Sequence, residues 1–323
     1  MVKSFAQESE PGKGVLVCQC RDNKRAQFSR IQAQYPLKFI PTRAHANRVG
    51  AVYMLSYGGG IVSGDEFDIS LTIESNAILL LMTQGNTKIY KDYFVTGGKR
   101  LVPATAGAEK TAAMATTTTA TMTTGPSSIQ HIVSNIASNA SLLLIPDPVT
   151  SFKSSSFSSR QTFNLQDETS QLVLLDWFTS GRLTRGEKWE FKHYSSKIDI
   201  RLKDKLVLRD HMVLDDANKG NPVDHKASYA DQLAPYTCFA TLIIVNLEKS
   251  IQVIEEMAED RLMTVTKPHD MLWSVSHFMK GKAILVRVAG MTTEQVRDFV
   301  KLQCLGDGLK EIVGDGMFTK ILM

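Results

Sequence analysis

The sequence of 323 residues contains few cysteines, no long apolar run and no block of like charge. Cys18, Cys20, Cys238 and Cys304 are too few for a disulfide framework in so long a chain, so we expect reduced thiols. Without a run of about 18 apolar residues or the apolar core of a signal peptide, we expect a cytoplasmic protein with no membrane partner. The net charge of +4 arises from interspersed basic and acidic residues, which gives no support for a nucleic-acid partner.

The motifs of common enzymes are also absent. The sequence has no Gly-x-Ser-x-Gly elbow, no His-Glu-x-x-His pair, no Cys-x-x-Cys pair and no Walker loop. Its one glycine-rich stretch, YGGGIVSGD from Tyr57 to Asp65, lacks a following Lys-Ser or Lys-Thr and precedes a predicted strand, so it indicates a sharp turn. We therefore predict a protein that is not an enzyme.

The sequence contains many short apolar segments that are rich in β-branched residues and bounded by Gly, Asn, Asp or Ser. These predict strands, among them Ala77 to Thr83, Gln171 to Trp177 and Trp189 to Leu202. Helical spacing occurs late, from Asn246 to Leu262 and again from Thr292 or Thr293 onward, where Glu and Gln suit a first turn. The prediction is a mainly β fold of the α+β class, with two C-terminal helices that cover a sheet.

One tract departs from this pattern. From Val102 to Ser128 the composition narrows to Ala, Thr, Met, Gly and Ser, with almost no large side chain to bury. Such a tract cannot offset its ordering entropy, so we predict a disordered insertion at 102–128 within a single domain spanning 1–323.

Polar residues recur where predicted strands end, and such residues either bond the local backbone or line a cavity. For each one alone, a turn-forming role is the simpler explanation. The residues in question are Asp65, Glu66, Thr83, Gln84, Asp147 and Glu187. Cys18 and Cys20 share one face of a strand, where they either hold a soft metal or simply pack in the core.

Five blocks in order make the sequence resemble the urease accessory protein D family (UreD, also called UreH). They cover roughly residues 30 to 200 and are specific as a series, although Met82 stands where the family usually has threonine. The blocks are YPLK, YGGGIVSGD, MTQGNTKIYK, LLLIPDPVTSF and VLLDWFTSGRLTRGEKWEF.

The resemblance implies a scaffold of stacked or helically wound β-sheets that works inside an assembly. Family members pair with an F-type accessory protein, which recruits a G-type GTPase, and the complex delivers nickel to apo-urease; a dimeric assembly is left open. No tightly bound cofactor is expected, and Ni²⁺ would pass transiently through an interior polar passage. Transferred by motif, its lining is Asp65, Glu66, Thr83, Gln84, Asp147 and Glu187, accompanied by Lys88 and Arg182.

Oxygen ligands suit such a passage, because they should hold Ni²⁺ more weakly than imidazole or thiolate clusters and a conduit must release its ion. Two alternatives remain. One is a pure scaffold that joins the accessory proteins and urease without conducting the metal. The other is a metal-dependent hydrolase or lyase whose ligands are drawn from His45, Asp176, Glu187 and His193.

Overall fold

A computed structural model describes residues 10–21, 25–44, 46–92, 128–215, 228–263 and 270–323. Within these ranges strands dominate, as predicted. In chain order they are β1 (Lys13–Arg21), β2 (Arg25–Ala33), β3 (Leu37–Thr42), β4 (Val49–Ser56), β5 (Gly60–Ile61), β6 (Glu66–Ile73), β7 (Ile78–Met82), β8 (Thr87–Ile89), β9 (Ser128–Ile136), β10 (Ser141–Leu144), β11 (Val149–Ser151), β12 (Ser156–Leu165), β13 (Gln171–Thr179), β14 (His193–Leu202), β15 (Lys205–Asp215), β16 (Cys238–Val245), β17 (Met271–Phe278) and β18 (Ala283–Gly290).

The strands form two large sheets. Sheet A has the order β15-β14-β12-β9-β6-β1-β2, and sheet B has the order β17-β18-β16-β13-β10-β7-β4-β3 with β5, β8 and β11 beside that path. The chain winds between them: β4, β7, β10 and β13 lie parallel in sheet B, while β6, β9, β12 and β14 lie parallel in sheet A. The expectation of helically wound β-sheets is confirmed.

At its centre, sheet B is buried on both faces, which explains its continuous apolar strands. Because side chains alternate along a strand, Leu79 and Leu81 of β7 enter the core between the sheets, whereas Leu80 and Met82 enter a second core beneath the helices. Strands β10 and β13 alternate in the same way. The central strands of sheet B therefore contribute to two cores, whereas the edge strands β3 and β17 each have one exposed face.

Helices from the C-terminal region build the second core, as predicted, but two short helices beyond residue 305 add to the two that the sequence indicated. Thr292 and Gln295 form a capping box at the start of α3, and Ile254 of α2 and Phe299 pack against sheet B. No described helix is long and apolar enough to cross a membrane. The helices are α1 (Tyr229–Leu233), α2 (Glu248–Met263), α3 (Thr293–Asp298) with its π-helical continuation Phe299–Leu305, α4 (Gly306–Val313) and α5 (Asp315–Phe318).

One strand boundary was predicted wrongly. The apolar segment from Trp189 was expected to be extended, but β14 begins only at His193. Trp189 has a positive φ of 57°, and its backbone N–H donates to the Ser180 carbonyl at 2.7 Å. Trp189 is buried among aromatic side chains in a turn, and this burial produces the same apolar signal as a strand.

The predicted insertion at 102–128 lies almost entirely outside the described residues. Its last residue, Ser128, begins β9 and is buried, so the boundary of the insertion was placed one residue too late. The Ser128 hydroxyl donates to the Ser156 carbonyl at 2.9 Å, and Asp92 accepts bonds from the Ser156 hydroxyl at 2.6 Å and backbone N–H at 3.2 Å. Both flanks of segment 93–127 are thus bonded to one residue.

Because α2 completes the second core, truncating its buried side should destabilise the fold. We expect Ile254→Ala to lower the free energy of unfolding by roughly 2–4 kcal/mol, since Ile254 is fully buried. The adjacent Val253 is 46% exposed, so Val253→Ala is the matched control and should change stability by less than about 0.5 kcal/mol. Urea unfolding of both variants measures the difference, and equal effects would contradict this packing.

Candidate functional site

The connections that lead from sheet B to sheet A all lie at one end of the sheet pair, and we call this end the rim. The described parts of these connections are residues 57–65, 83–92, 145–155 and 180–192. The winding therefore gathers the residues predicted for the passage, which lie within these connections or at their borders. They are Asp65, Glu66, Thr83, Gln84, Lys88, Asp147, Arg182 and Glu187.

Thr83 and Asp147 contact each other directly because β7 and β10, the strands that precede them, are parallel neighbours. The Asp147 backbone N–H donates to Thr83 Oγ1 at 2.7 Å, and Thr83 Oγ1 donates to Asp147 Oδ2 at 3.4 Å. Asp147 Oδ2 also accepts the Gly85 N–H at 2.7 Å. Burial raises the pKa of the Asp147 carboxyl above its ordinary value, and the bonds from Gly85 and Thr83 oppose that shift.

Arg182 and Glu187 form a two-point ion pair on the last connection. Arg182 Nε lies 2.8 Å from Glu187 Oε2, its Nη2 bonds Glu187 Oε1, and the guanidinium lies 4.1 Å from the centre of the Phe152 ring. The hydrogen bond from Arg182 lowers the pKa of the Glu187 carboxyl. Glu187 also accepts the Lys153 backbone N–H at 3.3 Å, so it links two connections of the rim.

Asp65 closes the glycine-rich turn. Its Oδ2 accepts the Val62 N–H at 2.9 Å, and its own N–H donates to the Val62 carbonyl at 3.0 Å. Glu66, Gln84 and Lys88 are exposed. The predicted residues thus have different environments. Thr83, Asp147, Arg182 and Glu187 form hydrogen bonds across the rim, whereas Glu66, Gln84 and Lys88 face solvent.

A cleft of about 590 Å³ opens at the rim beside the short strands β8 and β11. Lys88, Arg182 and Arg185 contribute its charges, Thr150 and Thr179 contribute hydroxyls, and no acidic residue belongs to the described lining. The cleft therefore favours anions, and a divalent cation would be repelled from this part of the rim.

The predicted carboxylates do not form one ligand cluster. Among the described residues, no group of three or more His, Cys, Asp or Glu side chains could hold a metal ion. The ligands considered for a metal-dependent enzyme are separated as well: Glu187 bonds Arg182, and His193 Nδ1 lies 3.8 Å from Asp215. His45 lies outside the described residues.

A polar layer between the sheets was not predicted. Asp176, Thr241 and Arg287 are aligned across β13, β16 and β18, on strand positions that face sheet A. From sheet A, the Ser196 hydroxyl donates to Asp176 Oδ2 at 2.6 Å, and Asp210 accepts a bond from Arg287 at 2.5 Å. This layer places Asp176, Ser196 and Thr241 in the otherwise apolar interior, while the Asp210–Arg287 pair extends it to solvent, since the Arg287 side chain is 49% exposed.

The alternation of inward-facing and outward-facing residues along β13 already indicated this layer. Asp176 follows Leu172 and Leu174 at intervals of two, and both leucines enter the core between the sheets. Burial raises the pKa of Asp176 to about 6, opposed by the bond from Ser196 and assisted by the nearby charge of Asp210. The period of two could have assigned Asp176 to the interior.

Aromatic side chains separate the polar layer from the rim. Phe178 follows Asp176 by two residues and stacks on Tyr194 with ring centroids 4.5 Å apart, while Phe239 and Trp189 pack against it at 5.8 and 6.2 Å. These residues lie one inward-facing position closer to the rim than Asp176, Ser196 and Thr241. The aromatic cluster, defined by these four residues, therefore closes the direct line between rim and polar layer.

The cysteine pair fits plain packing. Cys18 is buried in the core between the sheets, and Cys20 packs against that core. Burial raises the pKa of the Cys18 thiol to about 12, and among the described residues no third His, Cys, Asp or Glu side chain completes a metal site with these two thiols.

Comparison with known proteins connects this architecture to a family. A family model described as UreD urease accessory protein matches residues 10–305, which include both sheets, the rim and the polar layer.

Individual relatives agree with that match. The chain is 30% identical to a protein named urease accessory protein 4 from Cryptococcus neoformans, over 91% of this chain and 90% of that protein. It is 31% identical to urease accessory protein D from Arabidopsis thaliana, over 84% of this chain and 88% of that protein. A bacterial relative from Sorangium cellulosum, named urease accessory protein UreD, is 27% identical over 90% of this chain and 78% of its own length.

The Thr83–Asp147 contact gives a first prediction for the rim. Thr83→Val removes the acceptor of the Asp147 N–H and a donor to its carboxylate, so we expect a loss of roughly 1–3 kcal/mol in unfolding free energy. Thr83→Ser keeps the hydroxyl and should lose less than half as much. Chemical denaturation of the three proteins tests this, and a Thr83→Val variant as stable as wild type would refute it.

The buried carboxyl of Asp176 gives a second prediction. Its pKa is about 6 in the folded chain and has an ordinary value of 3.8, so the folded state binds the proton more tightly and stability falls as pH rises through this interval. Asp176→Asn removes the ionisation. We expect the stability of wild type relative to this variant to decrease between about pH 4 and about pH 7. Thermal unfolding across that range measures it, and a pH-independent difference would contradict the burial of the charge.

Proposed function

Because the chain belongs to the UreD family of urease accessory proteins, we propose that it takes part in urease maturation by helping to deliver nickel to apo-urease. Nickel is the cargo, no cofactor is tightly bound, and the chain itself is not an enzyme. It acts in the cytoplasm together with F-type and G-type accessory proteins, and the G-type partner supplies GTP hydrolysis. The observation that carries this proposal is the family match over residues 10–305.

We further propose that nickel moves through an internal polar passage that begins at the rim. Two features support the route. Carboxylate, hydroxyl and amide oxygens are gathered at the rim by the winding of the chain, and a second set of oxygen ligands, Asp176 and Ser196 among them, lies deeper between the sheets. Separate oxygen sites bind a borderline cation weakly and in succession, as transport requires.

The basic cleft and the aromatic cluster constrain this route. Lys88 and Arg185 repel a cation from the cleft, so the proposed route runs outside it, past carboxylates that do not belong to its lining, namely Asp65, Asp147 and Glu187. Passage from there to Asp176 requires the aromatic side chains to rotate. Binding of a partner at the rim is the event that could supply this movement, because it would exchange contacts of the connections that hold Trp189.

A scaffold without metal conduction is the second candidate, and local bonding at the rim favours it. Glu187 is neutralised by Arg182, Asp65 bonds the backbone of its own turn, and Asp147 bonds Thr83 and Gly85. Each carboxylate therefore has a structural role that needs no metal.

Charge neutralisation at constant shape separates the two candidates. The triple change Asp65→Asn, Asp147→Asn and Glu187→Gln keeps most hydrogen-bond acceptors while removing the negative charges. If these residues conduct nickel, we expect activation of apo-urease by the reconstituted accessory complex to fall by roughly tenfold or more. Nickel incorporated into urease and the urease activity regained are the measurements.

The control is a triple neutralisation of exposed acidic residues elsewhere, Asp204→Asn, Glu259→Gln and Asp315→Asn. Complex formation and thermal stability are measured for both triple variants. Full activation by the rim variant in an intact complex would reject conduction through these residues and support the scaffold.

A further inference from the structure

The outer face of sheet A is partly exposed in the described part of the chain, although Ser158, Ser195 and Asp199 on this face are buried. Sheet B packs against sheet A on one side and against helices on the other, but no described helix packs on the outer side of sheet A. Val133 and Val213 on this face are 39% and 46% exposed, and Arg160 and His211 are exposed as well. Parallel strands normally have both faces covered, so this open face is unusual for the fold.

Strand register aligns basic side chains in a row across this face. His131 of β9 is opposite Arg160 of β12, Arg160 is opposite Lys197 of β14, and Lys197 is opposite His211 of β15. Adjacent strands lie about 4.8 Å apart, so the row spans roughly 14 Å. Arg201 lies on the same face of β14, four residues beyond Lys197.

One acid continues this row, since Asp68 of β6 is opposite His131, and the unbalanced part of the row begins at Arg160. The outward-facing acids on these four strands are Asp199 and Asp215. Asp199 accepts two bonds from Arg209, at 2.7 and 2.9 Å. Asp215 is at the edge, 3.8 Å from His193.

Arg160, Lys197 and Arg201 form no ion pair within 4 Å among the described residues; Asp199 lies between Lys197 and Arg201 and interacts with both at longer range, but its carboxylate is bonded to Arg209. Like charges opposite each other destabilise a sheet, and the contact of an anionic surface would remove that repulsion.

The two longest segments outside the described residues are not acidic in composition. Segment 93–127 carries Lys99, Arg100 and Lys110 against Glu109, and segment 216–227 carries two acidic and two basic residues apart from His225. Neither has net negative charge. The face combines the exposed valines Val133 and Val213 with its basic groups, which suits contact with the surface of a folded protein.

We propose that the outer face of sheet A, centred on Arg160, Lys197 and Arg201, docks an acidic surface of a partner protein. The inference rests on the proposed role in urease maturation only for the choice of probes. Charge complementarity of this kind increases the association rate and makes binding sensitive to salt.

The test uses the full chain with Arg160→Glu and Lys197→Glu, and purified apo-urease and each accessory protein as separate probes. Biolayer interferometry at about 50 mM and about 300 mM NaCl gives the affinities. For one probe we expect binding at least about tenfold weaker, with a smaller dependence on salt. A control with Arg43→Glu and Lys205→Glu, exposed residues with no ion pair in the described structure, should bind like wild type.

Two further measurements distinguish a loss of binding from a folding defect. The variant Arg160→Gln and Lys197→Gln should unfold at the same temperature as wild type or higher, because it relieves repulsion, while binding with intermediate affinity. Unchanged affinity of the charge-reversed variant for every probe, or no binding of wild type to any probe, would overturn the proposal.

Preferential binding of duplex DNA over all protein probes, lost in the charge-reversed variant, would also overturn it in favour of a nucleic-acid surface. The nickel passage is tested by a different measurement, because the triple variant at the rim should bind the partner proteins normally but fail to activate apo-urease. Failure of either proposal is therefore distinguishable from failure of the other.

Discussion

The double burial of sheet B is the interaction on which the rest of the structure depends. The apolar residues of β7, β10 and β13 alternate between two cores, so a polar side chain there costs free energy unless it is bonded. Polar groups are accordingly displaced to the ends of these strands, where the connections to sheet A begin. The rim is thus a consequence of the packing of sheet B, and the family motifs that lie there end the apolar strands.

The exception to this rule lies on β13. Asp176 is tolerated in the interior because Ser196 donates to it and its raised pKa reduces the ionised fraction. The aromatic cluster then separates this layer from the solvated rim. The described residues thus form two polar zones, one at the rim and one between the sheets, with packed aromatic side chains between them.

Local sequence patterns predicted the features that depend on local structure. The apolar runs, the helix beginning at Thr292 and the turn around Asp65 were all predictable, because period and capping chemistry act over a few residues. Trp189 was mistaken for part of a strand, since burial by aromatic packing resembles burial in a sheet.

Features created by pairing between distant strands could not be predicted in the same way. The row of Arg160 and Lys197 exists only through the register of β12 against β14. The meeting of Asp176 with Ser196 similarly requires sheet A to lie over sheet B. Likewise, the sequence motifs identified the rim residues but gave no information on which of these residues contact one another.

Ser156 bonds Asp92 through its hydroxyl and N–H and accepts the Ser128 hydroxyl on its carbonyl, so segment 93–127 leaves and rejoins the sheets at a single residue. Because the fold holds the two ends of this segment together, each doubling of the segment's length costs only about 0.6 kcal/mol more in closure entropy. Insertions and deletions at this point therefore change the stability of the fold little, and they leave the winding of the sheets on either side unaltered.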